Sequence, residues 1–163
     1  MITNYFSPLE FIVSVKRLPH IEFFTQRTQI PGVSATPVEK PNPFNRTFET
    51  PDKLTYDNFN FSFIIDEKMN NYLEIYNWIK GITFPQNFDQ FKTVNESKDG
   101  RFSDISILAL NSSKNPSINI TYRNCFPISL SEITLDTTSA DIIYPEATVT
   151  FQYDYYEIEQ ISS

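Results

Sequence analysis

Hydrophobic and polar positions alternate with a period of two through most of the chain, and one stretch alone lengthens to the period of a helix. From Leu9 to Lys16, Leu9, Phe11, Val13 and Val15 fall on one face while Glu10, Ser14 and Lys16 fall largely on the other, the pattern of a half-buried strand. Leu18-Pro19-His20 interrupts it, because proline has no backbone donor, and Ile21 to Ile30 resumes as a second extended run. Neighbouring runs of this kind predict a hairpin. Leu54 to Ile65 alternates most clearly, with Phe59, Phe61, Phe63 and Ile65 against Asn58, Asn60 and Ser62. Burying each such apolar side chain contributes about 1.5–3 kcal/mol, so this face is expected in the core.

Between those strands the pattern changes. Val33 to Asp52 holds Pro37, Pro41, Pro43 and Pro51 around Phe44 with little periodicity, which predicts an extended, polyproline-like arm over about 33–53, either a plain surface loop or a segment that gains order against a neighbouring subunit. Ile30-Pro31-Gly32 before it reads as a turn. After Ile65, Asp66 suits an N-cap and Glu67 the first turn of a helix predicted over about 67–80. Met69, Tyr72, Leu73, Tyr76 and Ile79 recur at spacings of three and four, Ile75 and Trp78 widen the stripe, and Gly81 supplies the stop. Residues 82–102 read as an irregular connection with Phe84, Phe88 and Phe91 in its first half. Ser103 to Leu110, Ser117 to Arg123, Ile128 to Leu135 and Ala147 to Ile158 then read as strands. The sum is α+β and mainly β: an antiparallel sandwich or barrel with one flanking helix and a long arm, in a single domain over 1–163.

Composition narrows the function more than it defines it. A net charge of −7 disfavours adhesion to nucleic acid or anionic membrane, since both attract clustered Lys and Arg. No basic segment followed by an apolar run opens the sequence and no stretch is long enough to span a bilayer, so neither export nor a membrane partner is expected. One cysteine, Cys125, excludes an internal disulfide, and one histidine, His20, leaves too few soft ligands for a zinc site. Asp52, Asp57 and Asp66 do not form a calcium-loop pattern. Three glycines, at 32, 81 and 100, cannot build a P-loop or dinucleotide fingerprint. Arg101 and Arg123 lie among aromatics but in no basic stripe, so core packing accounts for those aromatics better than base stacking. Asp66 and Glu67 are the one conspicuous pair of adjacent carboxylates, and capping explains them without chemistry. Neither catalysis nor a cofactor is expected.

Against this background the order and spacing of several segments resemble the tail completion, or tail terminator, proteins of T4-like contractile-tailed phages, which share the tail-tube fold. The resemblance rests on Ile30-Pro31-Gly32, on Leu54-Thr55-Tyr56-Asp57 leading into Phe63-Ile64-Ile65-Asp66-Glu67, and on Glu74 to Gly81. Phe126 to Glu132 and Thr148 to Tyr153 resemble the same family's closing strands. It implies a structural virion protein, assembled in the host cytoplasm, that forms a ring of six at the head-proximal end of the tail tube. Such a ring ends tube growth, stabilises the sheath and offers a surface to the neck proteins. Implied partners are copies of itself, the tube, sheath and neck proteins, and genomic DNA passing through the lumen. A tail tube or tube-like baseplate ring subunit is the nearest alternative. An aromatic-groove binding module, or a hydrolase using Asp66 or Glu67, would belong to a different class.

Overall fold

The computed structural model describes residues 6, 9–19, 21–22, 24–84, 88–89, 92, 100–138 and 143–161. His20, Phe91 and most of the 85–99 connection lie outside the described residues.

Alternation in the sequence becomes a seven-stranded antiparallel sheet whose central strand serves two arrays. Strand β9 (Pro116–Leu130) pairs along its first half with β8 (Ser103–Leu110) and β11 (Tyr155–Gln160), and along its last residues with β10 (Glu146–Gln152). The first array runs β1-β8-β9-β11, with β1 at Phe11–Val15; the second runs β9-β10-β7-β2, with β7 at Phe59–Ile64 and β2 at Thr25–Thr28. The sheets do not close into a barrel, which leaves β1, β2 and β11 with one neighbouring strand each among the described residues.

β9 changes neighbour, from β11 to β10, between Arg123 and Phe126. Asn124 lies in that interval at φ 56°, a left-handed conformation that asparagine tolerates better than most residues. Its backbone N–H donates to Asp104 Oδ1 at 3.2 Å and its side-chain amide to Asp154 Oδ2 at 2.6 Å. Strands that pass from one sheet to another commonly do so at such local distortions.

The core lies where the inward faces of the arrays meet. Val13, Ile105, Ile107, Ile120 and Tyr122 come from the first, and Phe59, Phe61, Phe63, Val149 and Phe151 from the second. Phe59 stacks on Tyr122 at 4.5 Å between centroids, and Phe61 on Phe151 at 5.6 Å. Helix α1 (Asn70–Thr83) adds Ile75 and Trp78 to this core, with Trp78 5.8 Å from the Phe151 ring.

Several elements depart from the sequence reading. β1 and β2 do not form a hairpin: β1 pairs with β8 and β2 with β7, and the turns around the buried Leu18 and Ile21 carry the chain from one array to the other. Expected breaks also move. β9 continues through Cys125 and Pro127, its end at Leu130 leaves 131–136 outside any strand, and 147–158 divides into β10 and β11 around Asp154. The 33–53 arm is not polyproline-like. It is a ladder of two short pairs, β3 (Val33–Ala35) with β6 (Leu54–Tyr56) and β4 (Val38–Lys40) with β5 (Thr47–Glu49). Gly32 makes no turn; a Cβ there would stand 2.8 Å from the Asp57 carboxylate, so its bare backbone gives that side chain room.

The helix is displaced by three residues from its expected bounds. Its N-cap is Met69, at φ 57°, without a side-chain cap bond, so Asp66 is not the cap. Gly81 does not end the helix but lies buried within it, on the face that also carries Asn71, Ile75 and Trp78. That inward face leaves Tyr76 48% exposed, outside the core, with Lys80 Nζ 5.7 Å from its ring, while Tyr72 is half-buried. The connection after α1 has helical residues at 88, 89 and 92.

Candidate assembly surfaces

Two features stand at opposite ends of β7, separated by its six residues, roughly 17–20 Å. The arm is rooted at the first end. There Tyr56 and Asp57 pair with Val33 and Gly32, and two phenols hold the root: Tyr153 Oη donates to the Asp57 carbonyl at 2.8 Å, and Tyr156 Oη to the Pro31 carbonyl at 3.4 Å. These phenols belong to a cluster with Tyr56 and Tyr122, whose ring centroids lie 5.1–6.2 Å apart. Burial raises the ionisation of Tyr122 and Tyr153 above the usual phenol range, so both stay protonated.

Beyond the root the arm is open to solvent on every residue of β3, β4 and β5. Pro37, Pro41, Pro43, Phe44 and Pro51 all lie exposed, and Phe44 at the tip reaches 96%. An Asn42 side-chain oxygen accepts the Phe44 N–H at 3.2 Å and shapes the tip. Lys40–Glu49 at 2.7 Å and Arg46–Glu39 at 3.5 Å bridge the two arm strands across exposed surface.

At the other end of β7 lies an apolar groove of about 590 Å³, walled by Phe24, Ile64, Ile133 and Tyr144 with Met69 and Leu135 at its lip. Asp66 and Glu67 form its acidic rim. The rim is held by Asn71, a residue without a signal in the hydrophobic pattern. Fully buried, its Oδ1 accepts the Asp66 and Tyr72 backbone N–H groups at 3.2 and 2.9 Å, and its Nδ2 donates to the Ile64 carbonyl at 2.9 Å. Asparagine placed shortly after a strand end, before an apolar helix face, is the one cue that could have found it.

Other sequence candidates are dispersed. Phe59, Phe61, Phe63, Ile65 and Trp78 are buried structural residues. Cys125 is buried too, its thiol pushed up to about 12 by desolvation, which makes it a poor nucleophile. Arg123 pairs with Asp104 at 2.9 Å and Glu157 at 3.4 Å on the solvent side of the first array. Among the described residues no three His, Cys, Asp or Glu side chains converge, and no helix is long and apolar enough to cross a membrane.

Two antiparallel arrays sharing a strand, with one helix packed on their core and an exposed hairpin arm, define the fold. The chain superposes on the anti-feeding prophage tube-terminating cap with a TM-score of 0.72 at 18% identity, covering 99% of this chain and 95% of that one. On the sheath/tube terminator of an extracellular contractile injection system, PVC, the TM-score is 0.62 at 18% identity, with 98% and 99% covered. On a chain of the PVC sheath–tube complex it is 0.60 at 17% identity, with 96% and 93% covered. Residues 8–159 match the phage tail tube protein family, and the chain belongs to it. No curated protein matches the sequence.

Proposed function

We propose that this chain is a tail completion subunit: one domain over 1–163 that assembles, six copies to a ring, on the head-proximal end of a phage tail tube. The ring ends tube growth, steadies the sheath and presents a surface to the neck. The observation that carries this reading is the polarity of the molecule. An exposed hairpin arm and an apolar groove occupy opposite ends of β7, and among the described residues three strands keep a free edge, which suits heterologous contacts that close by rotation. Higher superposition on the tube-terminating cap than on the sheath–tube chain supports a terminator over a tube subunit. Its partners are then further copies of itself, the tube, sheath and neck proteins, with DNA passing through the lumen. Its role is structural, without catalysis, in a virion tail assembled in the host cytoplasm.

A tube subunit or tube-like baseplate ring is the second reading, favoured by the tail tube family match and by superposition on a chain of the anti-feeding prophage baseplate at a TM-score of 0.65. The two differ in how growth ends. A tube subunit stacks identical rings, whereas a terminator has one face for the tube and another for the neck. Size-exclusion chromatography with light scattering, followed by negative-stain imaging, separates them. Purified terminator stops at a finite ring, or stays monomeric until tubes are offered and then decorates one end. Long tubes formed by this chain alone overturn the terminator in favour of the tube subunit.

A further inference from the structure

Resting on the ring reading, we infer that the groove at the Ile64 end of β7 is the receptor for the arm tip of the neighbouring subunit, with Phe44 as the inserted side chain and Arg46 facing Asp66 and Glu67. The tip presents one fully extruded aromatic ring, and the groove supplies apolar walls in Phe24, Ile64 and Ile133. A solvated aromatic of that size is costly to leave in water and is the kind of residue that anchors interfaces. Charge also matches. Arg46 stands two residues from Phe44 with its side chain 82% exposed, and its 3.5 Å pair with Glu39 is a weak surface contact that a second acidic partner can outbid. Asp66 and Glu67 line the groove where such a cation would arrive.

Intramolecular docking is disfavoured by topology, because the arm leaves from the Tyr56–Asp57 end of β7 while the groove opens at Ile64–Ile65. The contact is therefore head-to-tail between copies, the type that closes into a ring when its rotation allows. The groove is preformed on the bonds Asn71 makes to Asp66 and Ile64, and the arm on its own ladder pairs, so little ordering opposes the contact.

The test is disulfide capture in the full chain with Asn45→Cys, beside the retained Phe44 anchor, and Leu135→Cys together, both at exposed positions, while native Cys125 is buried. Mild oxidation at concentrations where light scattering finds rings is expected to give a covalent ladder that ends at the copy number of the ring; each single variant gives dimers at most. In parallel, Phe44→Asp is expected to raise the concentration needed for assembly by about thirtyfold or more. Arg46→Glu and Glu67→Arg are each expected to raise it about five- to tenfold, and the two together to restore it. Rings that form without the covalent ladder, or without charge-swap rescue, overturn the groove assignment and leave the ring reading standing. A ladder seen only in stacked filaments places the contact between rings and overturns it as stated. A chain monomeric at every concentration and on tube ends overturns both.

Discussion

Burying an asparagine beside Ile75 and Trp78 is tolerable because its amide is bonded on both sides, to the end of β7 and to the start of α1. Asn71→Ala removes those partners and leaves the Ile64 carbonyl and Asp66 N–H without them, so it should cost about 2–3 kcal/mol, read as a lower urea midpoint at unchanged slope. A loss of stability under about 0.5 kcal/mol would mean that water replaces the amide. Periodicity hid this residue, since a buried polar side chain reads as surface in any hydrophobic pattern. The same pattern exposed Phe59, Phe61 and Phe63 plainly, because bulky aromatics at every second position have no other economical placement.

Residue chemistry also sets a pH limit. Cys125, Tyr122 and Tyr153 all ionise above their usual values in the fold, chiefly through burial, while the unfolded chain ionises at roughly 8.5 for a thiol and 10 for a phenol. A raised folded value means the neutral form is the one the fold holds. The resulting stability is complete below the unfolded values and is lost as pH rises through the folded ones. Urea midpoints should therefore agree between pH 7 and 8 and fall steadily from about pH 9 to 12. A flat profile across that range would contradict the burial of these groups.

At the scale of elements, alternation indicates that a stretch is strand but not which strand it meets. Phe11 to Val15 and Thr25 to Thr28 are both extended, yet the intervening turns, which bury Leu18 and Ile21, send them to different arrays. The helix shows the same limit. A stripe broad enough to include Tyr72, Ile75, Tyr76 and Trp78 does not say which part faces inward; Ile75 and Trp78 do, once Asn71 sets the start. In the arm, prolines outside the ladder positions frame β4 and β5 instead of forming a polyproline run. Its backbone bonds are exposed and local, so hydrogen exchange over 38–49 should be fast in the monomer. Protection is expected to rise at least tenfold in the assembled ring, and equal exchange in both states would make the arm a plain surface hairpin.

For the whole molecule, the proposed ring assigns folding and assembly to separate parts of the chain. Every buried residue of the core cluster lies outside 33–53, while that segment is exposed along its length and meets the rest at its root, through Tyr153 and Tyr156. Ala35 pairs with Leu54, so residues 36–53 can be replaced by Asn-Gly, whose two-residue turn joins β3 to β6 as a tight hairpin. Because the excised part carries no core residue, the shortened chain should unfold within about 1 kcal/mol of the full one. Rings, however, should no longer form at any concentration where the full chain assembles, since the heterologous contact has lost its protruding half. Calorimetry and light scattering on one preparation read the two properties independently. A shortened chain that unfolds early would place the arm in the fold, and one that still closes rings would move the assembly contact to β1, β2 and β11, the edge strands among the described residues.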